Sequence, residues 1–399
     1  MPSSPSDSSA AGSVSAADSV ERPVPRIREQ LEDFQVVELA DGPPPQEGDG
    51  EHLHLWIEKR GVDTARVADQ FAGFAGVARG KVGFAGRKDR RAVTRQWFSV
   101  PLARAAEEAF LHRAEELEED GVKLLEARRG RRRLRLGEHR GNAFELRVRG
   151  VSPSQAEHAQ RELAEIQRRG LPNRFGAQRF GRHGANVERG LRLLLPRPLE
   201  DEGAGAEDEG TRENSPRGGH RRLQRLLIAA VQSQVFNQIL ERRPCPVWEV
   251  VPGDVVRVHR SDRLRLVTDS AAEAERLASF RISPTAPLFG PKVLPAQGEI
   301  AALETAVFAE YGLQRFVPGS PDADGAPELP KALRPWGERR DLRIPVREAV
   351  ASFLESDQGS AGSPSAGDLL LRFQLPPGAY ATVLLEELLP EGVRVSRVY

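Results

Sequence analysis

The sequence predicts an α+β protein: a mixed sheet with helices packed on it, and a second stretch that builds a core of its own. Three observations lead there. Apolar residues alternate at period two from Phe34 to Leu39, His52 to Ile57, Phe144 to Val148 and Leu369 to Phe373. Between these runs lie stretches with a capping residue and apolar side chains at helical spacing. After Gly181 the composition changes, and an acidic, glycine-rich stretch from Leu199 to Gly219 precedes a strongly apolar helical pattern.

Residues 1–24 are rich in Ser and Ala and read as a disordered tail, with neither the basic start nor the apolar stretch of a secretory signal. Phe34 to Leu39 is the first long strand, and the Pro-Gly-Asp stretch from Asp41 to Gly50 is a loop. In the next strand Leu53, Leu55 and Ile57 share a face. Asp63 or Thr64 caps a helix with Val67, Phe71 and Phe74 on one stripe. Short strands from Lys81 to Ala85 and Gln96 to Val100 follow. Leu134 and Leu136, then Phe144, Leu146 and Val148, read as two paired strands around Gly137 to Gly141.

Ser152 or Ser154 caps a helix that ends at Arg169, before Gly170 and Pro172. Leu223 to Ile239 is an amphipathic helix, Val255 to Val267 alternates, Ala301 to Tyr311 is helical and Pro318 to Pro335 is a loop. Leu369, Leu371 and Phe373 form a last strand. Pro376-Pro377-Gly378 breaks it, and a helix runs on through Leu389.

The chain has 399 residues, 39% hydrophobic and 29% charged, which is ordinary for a soluble globular protein. No apolar run approaches the roughly 20 residues of a membrane-spanning helix. Cys245 is the only cysteine, so no intrachain disulfide or thiolate cluster forms, which suits a cytoplasmic setting. No metal is expected: His183 and His220 lack a second ligand at metal spacing. Lys+Arg and Asp+Glu both total 58, so any pull on nucleic acid must come from segregated charge. Acids crowd Glu115 to Asp120 and Glu200 to Glu213, while seven arginines lie between Arg128 and Arg140. Such a run is either a solvated surface or an RNA contact.

Chemistry concentrates in Gly86-Arg87-Lys88-Asp89-Arg90-Arg91-Ala92, which sets one carboxylate among four cations. Taken alone, a Lys-Asp-Arg turn is commonly an exposed ion pair. A carboxylate ringed by anion-binding side chains also fits an enzyme acting on nucleic acid.

Read from Phe84 to Gln96, the segment resembles the signature of the TruD family of pseudouridine synthases. Four further stretches resemble that family's motifs in family order: Glu32 to Glu38, Arg135 to Phe144, Pro172 to Gly181, and Leu375 to Thr382. The resemblance implies a pseudouridine-synthase-like catalytic domain with a mixed, mainly antiparallel sheet and an inserted α/β TRUD domain. It divides the chain into catalytic parts at 25–167 and 343–399, with the insertion at 168–342.

It also implies a tRNA pseudouridine synthase that acts on uridine 13 of the dihydrouridine arm, with tRNA as partner. No cofactor, no membrane and no second copy of the chain is implied. The reaction moves a base from a nitrogen link to a carbon link, so it exchanges neither electrons nor phosphate. Asp89 is the implied catalytic residue, either attacking the sugar or removing a ribose proton.

Phe34, Asn142 and Tyr380 stand where the family contacts the target nucleotide. Phe34 or Tyr380 would stack on uracil, and the Asn142 amide would meet its edge. Arg28, where the family commonly has lysine, holds a phosphate or pairs with an acid. Lys88, Arg90, Arg91, Arg174 and Arg179 complete the expected phosphate contacts, although one of the cations beside Asp89 can serve only to pair it. The stretch from Pro172 to Gly181 reads equally as an RNA contact, a hinge or a buried junction.

Overall fold

The computed structural model describes residues 24–40, 50–195, 217–290, 293–319, 333–335, 337–355 and 366–395, with backbone alone for Arg182 and 217–220. The loop expected from Asp41 to Gly50 lies outside the described residues except for Gly50, and the expected tail except for Val24. The acidic stretch from Leu199 to Gly219 is described only as backbone from 217 onward, and of Pro318 to Pro335 only the ends are described.

A ten-stranded sheet carries the segment around Asp89. Its main path runs Arg347–Leu354, Gly367–Leu375, Gly141–Val151, Phe34–Leu39, Val93–Pro101, His52–Arg60 and Val122–Gly130. All neighbours on this path are antiparallel except Phe34–Leu39 with Val93–Pro101, so the sheet is mixed and mainly antiparallel.

Register explains where the site sits. One row of partners on a single face reads Phe373, Phe144, Val36, Thr94, Lys59 and Val122. The next reads Leu375, Asn142 and Glu38, and beyond the parallel pair Gln96 and Ile57. Side chains two apart along a strand share a face, so these rows belong to one surface of the sheet. At one end of it, helices Pro153–Arg169 and Ala381–Leu388 cover Leu146, Val148, Leu369 and Leu371. At the other end, helices Thr64–Ala75 and Glu107–Glu115 cover Leu53, Leu55, Ile57 and Phe98.

Each of these large apolar side chains contributes about 1.5–3 kcal/mol by leaving water. Between the two cores the same face carries Thr94, Gln96, Lys59, Glu38 and Asn142. A polar band therefore divides one apolar surface in two.

Ser152 caps the Pro153–Arg169 helix through a reciprocal pair with Gln155, and Gly170 ends it at φ 91°. The expected pairing of a strand at Leu134 and Leu136 with the Phe144 strand is corrected here. Residues 131–140 form a connection in which Leu136 is 72% exposed, and Gly141–Val151 pairs instead with Phe34–Leu39 and Gly367–Leu375. The strand before the loop is Val122–Gly130, whose only extended neighbour among the described residues is His52–Arg60. Apolar alternation in the loop is two residues long, and the Glu138 carboxylate accepts the Arg135 backbone N–H, which closes a turn rather than a ladder.

The chain leaves the large sheet through Leu171–Pro172 and comes back beside it at Arg343–Ile344, the two segments pairing antiparallel. The residues between form an antiparallel sheet of Arg263–Leu266, Val255–Val258, Ile282–Leu288 and Glu338–Asp341. Helix Arg217–Glu241 packs Ile228, Val231, Val235, Phe236 and Ile239 into a separate core with Phe289, Val307 and Phe308.

Candidate active site

Asp89 lies in the connection between strands Gly83–Phe84 and Val93–Pro101, above the polar band. Its main chain is fixed from several sides. Lys59 Nζ donates to the Asp89 carbonyl at 2.7 Å and reaches the Lys88 carbonyl at 3.4 Å. The Lys88 N–H donates to Thr64 Oγ1 at 3.1 Å, Thr64 Oγ1 donates to Gln96 Oε1 at 2.9 Å, and Gln96 Nε2 donates to the Gly86 carbonyl at 2.9 Å. The backbone is held while the carboxylate stays 44% exposed.

Arg28 holds that carboxylate. Its Nη2 donates to Asp89 Oδ2 at 2.8 Å, and no bond to Oδ1 occurs among the described residues. One oxygen is anchored and the other is free. Arg28 itself sits at φ 64°, a left-handed conformation that a residue with a side chain adopts at a cost of about 1 kcal/mol or more. Its guanidinium lies 3.9 Å from the centre of the Phe34 ring, which supports it from below.

Phe34 is only 2% exposed and meets Phe144 edge-on at 6.3 Å, while Phe144 stacks on Phe373 at 5.1 Å. In this arrangement the Phe34 face expected to receive uracil is covered by Arg28.

Asn142 occupies the register position between Leu375 and Glu38, and its Oδ1 is buried with no hydrogen-bond partner among the described residues. A buried orphan acceptor costs about 1–3 kcal/mol, so it marks a place where a donor belongs. Gly141 precedes it because a Cβ there would stand 2.4 Å from the Leu375 carbonyl oxygen. Tyr380 starts the Ala381–Leu388 helix, is half-buried, and meets Phe175 at 6.2 Å where the two main cores touch.

The expected phosphate contacts divide. Arg90 and Arg91 are exposed, Arg90 Nε donating to the Gly61 carbonyl at 3.2 Å. Lys88 is turned inward: its Nζ pairs with Glu38 Oε2 at 2.8 Å, with the side chains 4% and 0% exposed. That corrects its placement as a phosphate contact, because a buried Glu38 without a cation would cost several kcal/mol, on the order of 3–5. Arg174 pairs with Glu387 and approaches Glu386, and Arg179 Nε donates to Ser233 Oγ at 3.3 Å. Both are engaged within the protein. Arg28 is likewise committed to an acid, Asp89.

Sequence reasoning passes over three residues that shape this site: Glu38, Lys59 and His139. Glu38 Oε1 also accepts the Trp97 backbone N–H at 3.3 Å. A Cβ on Gly86 would lie 3.2 Å from His139 Cε1, so glycine makes room for that ring. Burial, then the nearby Lys88 charge, holds the His139 imidazole below the usual histidine value. Burial pushes the Lys59 ammonium down to about 8. Burial first, then the like charges of Arg222 and Arg79, lowers the Arg87 guanidinium, so a cation of the Arg217–Glu241 helix stands near the Asp89 segment. Among the described residues no helix is long and apolar enough to cross a membrane.

The family model for tRNA pseudouridine synthase D (TruD) matches residues 19–195 and 205–388. The chain is 35% identical to tRNA pseudouridine synthase D of Geobacter metallireducens, over 92% of this chain and 95% of that one. To tRNA pseudouridine synthase D of Thermus thermophilus it is 38% identical, over 91% and 88% respectively. A crystal structure described as tRNA pseudouridine synthase D (TruD) from Methanosarcina mazei superposes with a TM-score of 0.67 at 25% identity, covering 92% of this chain and 93% of that one. A family model that matches most of the chain, with relatives 35% and 38% identical over more than nine-tenths of it, places this protein in the tRNA pseudouridine synthase D (TruD) family.

Proposed function

We propose that this chain isomerises uridine 13 in the dihydrouridine arm of tRNA to pseudouridine, with Asp89 acting at the ribose of the target nucleotide. The observation that carries the proposal is the Asp89 carboxylate itself: Oδ2 is held by Arg28 at 2.8 Å and Oδ1 has no partner among the described residues. A positioned carboxylate with one free oxygen can attack the anomeric carbon or remove the neighbouring ribose proton.

In the net reaction the bond from uracil N1 to the sugar breaks and one from C5 forms. C5 loses its proton and N1 gains one, so no oxidant or external group is consumed. The base must leave the RNA stack first. Asn142 Oδ1, buried and lacking a donor, suits the imide N–H of the freed uracil. Tyr380, half-buried near the turn that follows Leu375, offers a ring face. Exposed Arg87, Arg90 and Arg91 suit the phosphates that flank the target.

Purified protein incubated with unmodified tRNA should form pseudouridine at position 13, read by mapping modified bases after digestion. Asp89→Asn should bind the tRNA as the wild type does and form none. Pseudouridine at another position alone would overturn the site assignment. Release of free uracil would replace isomerisation by hydrolysis.

A further inference from the structure

Lys59 is 0% exposed, and among the described residues its ammonium makes no ion pair. That is an uncommon place for a lysine, since burying an ammonium costs several kcal/mol, on the order of what a paired charge recovers. Its strand continues the inward parity of Leu53, Leu55 and Ile57, all buried, and its register partners are Thr94 and Val122. Nothing on the sheet asks for a charge there. Among the described residues the only acceptors it meets are the carbonyls of Lys88 and Asp89, at 3.4 and 2.7 Å. Two successive amide dipoles aimed at one cation define where the Asp89 backbone stands.

We propose that Lys59 is a positioning residue for the reaction: its charged ammonium, bonded under the Lys88 and Asp89 carbonyls, sets the height and direction from which the Asp89 carboxylate meets the ribose. The inference rests on the assignment of Asp89 as the catalytic residue. Lys59 does not touch the substrate. It acts through the loop, as the lower of two clamps whose upper member is Arg28 on the carboxylate.

The charged groups facing Lys59 are few. Asp89 and Lys88 come from the loop, and Asp63 precedes the Thr64–Ala75 helix. The two acids favour the ammonium and Lys88 opposes it, while Thr94 and Val122 across the sheet bring no charge. Burial outweighs them and brings the group down to about 8. The clamp is therefore charged at neutral pH. It is released as pH rises through about 8, because the neutral amine holds two carbonyls far less strongly.

The test is a pH profile of the single-turnover rate at saturating tRNA, with tRNA affinity measured in parallel, for wild type, Lys59→Met and Asp89→Asn. The wild-type rate should fall tenfold per pH unit above about 8. Lys59→Met should keep wild-type affinity for tRNA, lose on the order of 100-fold in rate, and show no limb near that pH. Titration of the substrate's own imide is common to both proteins and drops out of the comparison.

A wild-type rate that stays flat well beyond pH 8, or Lys59→Met turning over like wild type, overturns the inference. The wild-type profile decides even when the variant does not fold. Failures separate cleanly. An active wild type without the limb defeats Lys59 alone, whereas a wild type that never forms pseudouridine defeats the function proposed above and this inference with it.

Discussion

Glu38 and Lys88 form a buried ion pair, Oε2 to Nζ 2.8 Å, directly beneath the segment that carries Asp89. The acid comes from strand Phe34–Leu39 and the base from the loop, so the pair pins a mobile type of element to a rigid one. Removing one partner leaves the other buried and uncompensated. Glu38→Gln should lower unfolding free energy by about 3–5 kcal/mol, whereas the double variant Glu38→Met, Lys88→Met should recover most of it. Urea unfolding of the three proteins checks this, and additive losses would contradict it.

Arg28 makes a partly exposed contact with Asp89, so its removal should cost little stability, about 1 kcal/mol or less. Its loss should be felt in turnover. Arg28→Ala should slow the single-turnover rate on the order of 100-fold by freeing the carboxylate. Arg28→Lys keeps a charge but loses the planar stack on Phe34, and should fall between the two. Equal rates for Arg28→Ala and wild type would remove the anchor from the mechanism.

Gly141 has no room for a methyl group, with the Leu375 carbonyl oxygen 2.4 Å from the Cβ position. Gly141→Ala should force Gly367–Leu375 away from Gly141–Val151 and destabilise by about 1–3 kcal/mol. Asn142 rides on the same strand, so turnover should fall as well. A variant with unchanged thermal midpoint and rate would show that the strands separate without penalty.

Burial holds His52, His54 and His139 below the ordinary histidine value. His54 Nε2 donates to the Arg132 carbonyl at 2.9 Å, and Nδ1 is buried without a partner among the described residues, so a second proton there finds no acceptor among them. The unfolded chain binds protons at these groups more readily than the folded one. Their stability contribution is therefore complete above about 6.5 and is lost as pH falls through the lowered values. The urea midpoint at pH 5.5 should lie below that at pH 7.5, and His54→Gln should shrink the difference.

Net charge is zero, yet with local arginines on the phosphates, as proposed above, tRNA affinity should fall steeply with salt. Arg87 is exposed and pressed by like charge from Arg222 and Arg79. Arg87→Ala should weaken binding and reduce the log-log salt slope by about one. A slope unchanged by the substitution would place Arg87 away from the RNA.

Much of this arrangement is written in strand parity. The alternation that takes Leu53, Leu55 and Ile57 inside takes Lys59 with them, and Phe34 and Val36 likewise carry Glu38 inward. A charge at an inward position is a local sign of a site, readable without coordinates. The direction of Lys88 is not readable in that way, since it depends on an acid fifty positions earlier.

Arg174 is similar: its partner Glu387 lies 213 positions on, brought near only when the last helix packs. The Leu134 and Leu136 alternation misleads because two apolar residues fit a turn as well as a strand. Buried acceptors left without a donor, such as Asn142 Oδ1, emerge only from register.

The pairing of Arg343 with Pro172 and of Ile344 with Leu171 puts the departure and arrival of a long excursion side by side. Beyond these two adjacent segments the scaffold meets the excursion where Arg174 pairs with Glu387 and Phe175 meets Tyr380. Because both ends leave from one place, a change of length far along the excursion need not displace any strand of the large sheet, whereas losing its first residues would strip Tyr380 of its neighbour.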